Sequence, residues 1–152
     1  MKTVKLKGSK KTYRVGKIVC VGRNYVEHAR EMEADIPSAP VIFLKPSTSL
    51  VASNGTVPFP PASLEMHHEV ELTVLIGKGG KKIRPSEGLN YVAGYGVGLD
   101  MTLRDLQKAA KKQGLPWTLS KGFDASAPAS EFVPVKQVPN AANLKLLLKV
   151  NG

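Results

Sequence analysis

The sequence predicts an α+β chain that is mostly β, with a few short helices. Three observations carry this. Apolar and polar residues alternate along the N-terminal MKTVKLKGSKKTYRVGK, the period of half-exposed strands. HHEVELTVLIG is a mostly apolar run that ends at Gly77, and YVAGYGVGLD is a second run laced with glycine; both read as strands. Only two segments open with a helix-start pattern.

Taken in order, TVKLK and TYRV flank the turn GSKK and predict a hairpin, and KIVCV predicts a third strand. Asn24, with Glu27 three residues on, has the pattern of a capping box. The helix it opens spans about 25–33, with Tyr25, Ala29 and Met32 on one apolar stripe. The proline-rich stretch that follows contains PVIFLKP, which predicts an extended piece. HHEVELTVLIG is the next strand, and GKGGKKIRPSEG is a turn-rich connection. In YVAGYGVGLD the glycines mark a strand that bends or is closely approached by other backbone. Thr102 with Asp105 predicts a second capped helix, with Leu103, Leu106 and Ala110 on one face and Gly114 as its stop. LPWTLSKGFD and the Ala/Ser/Pro stretch after it read as loop, and NLKLLLKV as a strand ahead of the turn signal Asn151–Gly152. From that ending the sequence is expected to be an N-terminal piece of a longer protein, or one whose remainder is on another chain.

The bulk numbers narrow the function. A length of 152 residues suffices for one domain with a core, and no apolar run reaches the roughly 20 residues that span a bilayer. The start lacks the continuous apolar stretch of a secretory signal. The single Cys20, inside KIVCVG, reads as a buried inert thiol and fits a reducing, cytoplasmic setting. The net charge of +10 raises the question of nucleic acid. Its distribution answers against it: the N-terminal cations alternate along a hairpin, and Lys108, Lys111 and Lys112 fall late in a helix, where its dipole favours them. No basic run is interleaved with aromatics. Neither a nucleic acid nor a membrane is therefore expected as a partner.

Glu69 and Glu71 hold the strongest chemical signal. In a strand, positions two apart point to the same face, so both carboxylates and His67 face one way. Two like charges so placed repel, and burial makes each costlier. A hard divalent cation with oxygen ligands relieves this, and Asp100, ending the glycine-laced strand, is a third candidate ligand. A solvated strand face carrying acids two apart is the other reading. His28 and Glu31, three apart, share a helix face, where a carboxylate beside an imidazole suits a general base; a solvated helix face is the alternative. Arg104 and Gln107 face away from the apolar stripe of their helix, and Lys121 by type alone is a surface lysine. His68, on the face opposite the glutamates, is expected to be a hydrogen-bonded core histidine, and Lys45 in FLKPS either reaches the site or flanks it.

The segments CVGRNYVEHAREM, FLKPS, HHEVEL, GLDMTLRDLQ and GLPWTLSKGFD, in this order and spacing, resemble the fumarylacetoacetate hydrolase family, in particular its acylpyruvase and oxaloacetate decarboxylase/tautomerase branch. The resemblance implies a mixed β-sheet rolled on itself, a Mg²⁺ or Mn²⁺ site and a homodimer. It implies a catalytic domain over 17–152, preceded by a hairpin region over 1–16. The family's metal ligands fall on Glu69, Glu71 and Asp100, its catalytic histidine and glutamate on His28 and Glu31, and its substrate-contacting residues on Arg104, Gln107 and Lys121. Its Gly-Thr-Pro segment, whose threonine helps hold substrate, has no counterpart before Gly152.

These residues imply a divalent-metal-dependent enzyme acting on small 2-oxo acids, hydrolysing the C–C bond of acylpyruvates, decarboxylating oxaloacetate, or both. Enol–keto tautomerisation of oxaloacetate shares the same intermediate and stays open. A different class, a non-catalytic fragment or basic binding module, would leave the three carboxylates facing solvent separately.

Overall fold

The computed structural model describes residues 2–22 and 39–152. The expected helix over 25–33, with His28 and Glu31, lies outside the described residues.

The N-terminal alternation forms the predicted hairpin. Strands β1 (Thr3–Lys5) and β2 (Thr12–Arg14) pair antiparallel, Thr3 opposite Arg14. Strand β3 (Lys17–Gly22) pairs antiparallel with β4 (Val41–Pro46), so that Ile18 lies opposite Lys45. The main sheet is mixed. β5 (Leu50–Ala52) runs parallel to β8 (Ala127–Ala129), which pairs antiparallel with β7 (Val92–Leu103); β7 pairs antiparallel with β6 (Met66–Ile76) on its other side. The two-residue β9 (Val133–Pro134) also pairs with β7. The hairpin is tied to this sheet by Lys7 N–H donating to Phe132 O at 2.8 Å and Phe132 N–H donating to Lys5 O at 3.0 Å.

The β6–β7 ladder is the scaffold of the site. Its register sets Glu69 opposite Asp100, His67 opposite Thr102 and Glu71 opposite Gly98. The glycines of β7 meet the expectation of close backbone approach: a Cβ at Gly98 would stand 2.5 Å from Thr73 Oγ1 and 3.3 Å from Pro128 O. A side chain there would push apart the strands that carry the carboxylates.

Helix α1 (Arg104–Gln113) ends as predicted, with Gly114 left-handed at φ 66° and Lys111 and Lys112 in the last turn. Its start differs from the expectation. Leu103 is the N-cap, and Thr102 remains in β7, its hydroxyl taken by Lys121. Asp105 instead accepts from Ser63 Oγ at 2.6 Å and from Leu64 N–H at 2.9 Å, fastening the 63–65 loop to the helix. Three further expectations are corrected. The 115–124 stretch is not all loop: it contains a one-turn helix, α2 (Thr118–Lys121), anchored by Ser120 and Lys121, both buried. Residues 144–150 form no strand; a strand requires a hydrogen-bonded neighbour, none pairs with them among the described residues, and Leu147 is 80% exposed. His68 is exposed rather than core, because its face of β6, with Val74 and Ile76, is turned outward.

Buried polar and charged side chains outnumber buried apolar ones among the described residues. Leu50, Leu75, Tyr95, Met101, Leu103 and Phe132 make the apolar centre. Beside it lie Lys45, Asp100, Thr102, Arg104, Gln107 and Lys121, each 9% exposed or less. Burying that many polar groups is unfavourable unless each is paired, so their arrangement marks the site.

Candidate metal and oxo-acid site

The six described residues singled out in the sequence, Glu69, Glu71, Asp100, Arg104, Gln107 and Lys121, line one cleft of about 800 Å³. Three of them stand on the β6–β7 ladder, two on the first turn of α1 and one at the end of α2. The ladder fixes the acids by its two-residue period, and the helices turn cations back onto them.

Lys121 is the hub. Its Nζ donates to Glu69 Oε2 at 2.9 Å, to Asp100 Oδ2 at 2.5 Å and to Thr102 Oγ1 at 2.6 Å, using all three protons of an ammonium. Arg104 pairs with the other oxygen of Glu69, Oε1. The same guanidinium donates to Gln107 Oε1 at 2.6 Å and, through Nε, to His67 Nδ1 at 3.3 Å. His67 then meets Glu65 at 2.9 Å through Nε2. His67, which shares the strand face of the glutamates, thus braces Arg104. The surface reading of Arg104, Gln107 and Lys121 does not hold, since all three are buried and turned to the carboxylates. The α1 face of Arg104 and Gln107 points away from the apolar stripe because it points at charge.

Lys45, on β4, is the residue the sequence left without a role. It is 1% exposed. Its Nζ donates to Met101 O and Ser126 O, each at 3.1 Å, and to Lys121 O. It also lies 2.8 Å from Asp100 Oδ1. The apolar flanks of its position in VIFLKP gave no signal of a buried cation, which only the fold reveals.

The electrostatics follow from burial and pairing. Burial alone would raise the Glu69 carboxyl, but the charge and hydrogen bond of Lys121, with those of Arg104, hold it below the ordinary value. Burial pushes the Lys45 ammonium down, and the adjacent Asp100 opposes that. Burial, with Asp100 nearby, pushes the half-buried Cys20 thiol up to about 11, in keeping with an inert thiol.

The donor set suits a hard divalent cation: carboxylate oxygens, with the one imidazole on that strand face, His67, engaged by Arg104 and Glu65. Among the described residues no three acidic, histidine or cysteine side chains close on one point as a ready-made metal cluster, because Lys121 sits between Glu69 and Asp100. One atom nevertheless fits a metal ligand. Asp100 Oδ1 is buried and accepts no hydrogen bond among the described residues. The Lys45 ammonium, 2.8 Å away and shared among three backbone carbonyls, engages at most one lone pair of this oxygen and leaves the other open. A buried carboxylate oxygen with free lone pairs asks for a cation.

Known proteins share this sequence and fold. The chain is 53% identical over 135 residues to mitochondrial oxaloacetate tautomerase FAHD1 of Bos taurus, a match covering 89% of this chain and 61% of the relative. It is 47% identical over 137 residues to the mitochondrial oxaloacetate decarboxylase of Dictyostelium discoideum, covering 90% of this chain and 63% of that one. The crystal structure of fumarylpyruvate hydrolase from Pseudomonas aeruginosa in complex with Mn²⁺ and pyruvate superposes with a TM-score of 0.81 at 42% identity, over 90% of this chain and 60% of that chain. The chain thus spans about three-fifths of the length of the relatives it matches. The family model described as fumarylacetoacetate (FAA) hydrolase C-terminal matches residues 17–152. With that match over a mixed sheet whose cleft gathers the motif residues, the chain belongs to the fumarylacetoacetate hydrolase family.

Proposed function

We propose that this chain carries the metal and substrate-orienting part of a divalent-metal-dependent enzyme acting on small 2-oxo acids, hydrolysing acylpyruvates, decarboxylating oxaloacetate, or both. One observation carries the reading: Glu69 and Asp100 lie opposite each other on the ladder, with Lys121 bonded to both and Arg104 bonded to Glu69. Glu69, Glu71 and Asp100 would hold Mg²⁺ or Mn²⁺, and the relative that binds Mn²⁺ and pyruvate supports this. When bound, the ion supplies Lewis acidity toward a 2-oxo carboxylate.

The chain's own residues do the rest. Arg104, kept straight by Gln107 and His67, presents a planar fork suited to a substrate carboxylate. Lys121 places a cation where negative charge develops on the oxo oxygen as the C–C bond breaks. Lys45, Arg104 and Lys121 stand among Glu69, Glu71 and Asp100, and Arg14, Lys17 and Lys111 line the same cleft. This excess of cations favours an anionic substrate, and a dicarboxylate such as oxaloacetate over a monoanion. In the hydrolytic reaction His28, oriented by Glu31, would take a proton from water. Oxaloacetate tautomerisation is a second reading, favoured by the name of the Bos taurus relative.

The working unit is proposed to be a homodimer whose catalytic domain starts at 17, with residues 1–16 as a separate hairpin region; the family match beginning at residue 17 supports the boundary. Among the described residues no helix is long and apolar enough to cross a membrane. Several relatives are named mitochondrial, so fractionation of cells making the full-length protein distinguishes that address from a cytoplasmic one.

The test is an assay of the full-length protein with oxaloacetate and acetylpyruvate, with and without Mg²⁺ or Mn²⁺. Activity should vanish in EDTA and return with either ion, and Glu71→Gln should abolish the metal-stimulated activity. Full turnover in EDTA would overturn the reading.

A further inference from the structure

Lys45 joins three parts of the site through one atom. Met101 O belongs to the residue after Asp100 on β7, Lys121 O to the helix that carries the hub lysine, and Ser126 O to the turn leading into β8. Ser126 Oγ also donates to Lys121 O at 3.0 Å, so the same carbonyl is held twice. Such a cation would be costly to bury without partners; here three carbonyls and one carboxylate surround it, and no proton is left over.

The geometry has a chemical consequence. A carboxylate oxygen has two acceptor sites. Lys45, 2.8 Å from Asp100 Oδ1 and shared among three carbonyls, holds that oxygen by charge and takes at most one of them. Meanwhile Asp100 Oδ2 is held by Lys121. The carboxylate is thus oriented at both ends with one oxygen still able to ligate. The ligand-bearing strand and the lysine-bearing helix are also locked together, which is the kind of support that keeps a site within fractions of an ångström of its working geometry.

We propose that Lys45 is a positioning residue, which orients Asp100 as a cation ligand and holds Lys121 in register with it. This rests on reading the cleft as a divalent-cation site. Lys45 touches no substrate in this scheme; it acts through Asp100 and Lys121.

The test uses full-length protein with Lys45→Met and Lys45→Gln, each checked for a native fold by circular dichroism. Two quantities are read: the Mn²⁺ dissociation constant, from the resonance of free Mn²⁺, and, without metal, the solvent-protected ammonium signal of Lys121 in proton–nitrogen NMR. Where wild-type protein binds Mn²⁺, the proposal expects folded variants to bind about tenfold more weakly or worse, the usual effect of losing a residue that supports a metal ligand. Binding within about twofold of wild type would overturn it. If wild-type protein does not bind Mn²⁺, the metal reading itself fails, and the Lys121 signal then decides: its loss in the variants supports the positioning role, and its retention overturns it. If neither variant folds, Lys45 is a framework residue and the proposal falls.

Discussion

Glu69 and Asp100 face each other directly across the β6–β7 ladder, and one ammonium, that of Lys121, bonds to both. Like charges in directly opposed strand positions destabilise a sheet. The pair persists because a buried lysine from a different element neutralises it, and the site is built around that exchange of charge.

Replacing Lys121 should therefore affect stability as well as rate. Lys121→Met leaves two partly buried carboxylates without their shared cation, and breaking such a pair from one side costs about 3–5 kcal/mol. The expected outcome is a lower melting temperature, a slower reaction with oxo acids and Mn²⁺ binding at least as tight as in wild type. Mn²⁺ should raise the melting temperature of the variant more than that of wild type, since the ion replaces the lost positive charge. Equal shifts in a melting scan would count against the shared-cation account.

The depressed Glu69 carboxyl makes an acid-stability prediction with a definite sign. Its folded value lies below the ordinary 4.5 because Lys121 and Arg104 outweigh the cost of burial. Its contribution is therefore present above 4.5 and is lost as pH falls through the folded value. Wild type should be more stable than Glu69→Gln at about pH 6, and the gap should close toward about pH 3. Denaturant titrations of both proteins across this range provide the check; a constant gap would remove the carboxylate as its source.

Cys20 should be a slow thiol. Burial takes it from 9.0 to about 11, so its thiolate fraction near pH 8 is about a hundredfold below that of an ordinary cysteine. Alkylation by iodoacetamide, followed by mass spectrometry, should be slower by about that factor and should accelerate until the pH nears 11. Labelling at the rate of a free peptide cysteine would contradict the burial.

The glycines of β7 are not equivalent to glycines elsewhere. A Cβ at Gly94 would stand 2.5 Å from Val133 O and 2.7 Å from Leu6 Cδ2. Gly94→Ala must then separate β7 from β9, and overpacking of this kind costs about 1–3 kcal/mol. A Cβ at Gly79 meets nothing within 4 Å, and Gly79→Ala should change stability by about 0.5 kcal/mol or less. Paired urea unfolding curves decide it, and equal effects at the two positions would disprove the close-approach account.

Much of the fold was legible in local sequence. Alternation gave the hairpin, apolar runs gave β3, β6 and the glycine-laced β7, an extended proline-flanked piece gave β4, and Gly114 marked the end of α1. The start of α1 was misread because Thr102 and Asp105 have capping chemistry that tertiary partners claim: Lys121 takes the hydroxyl, and Ser63 and Leu64 take the carboxylate. NLKLLLKV carries strand-forming residues, yet a strand exists only where another backbone pairs with it.

For the site, the sequence alone determined that Glu69 and Glu71 share a face, because side-chain direction in a strand is a local property with a period of two. It also determined, through the motif resemblance, which family to compare. Only the tertiary structure decided that Asp100 stands opposite Glu69, that Arg104, Gln107 and Lys121 are buried against them, and that Lys45 is a buried cation at all. Those facts depend on strand register and on loop closures between residues as far apart as Lys45 and Ser126. Lysine is locally the same residue on a surface and in a core; what separates the two is the set of carbonyls and carboxylates that folding brings within hydrogen-bond reach of its nitrogen.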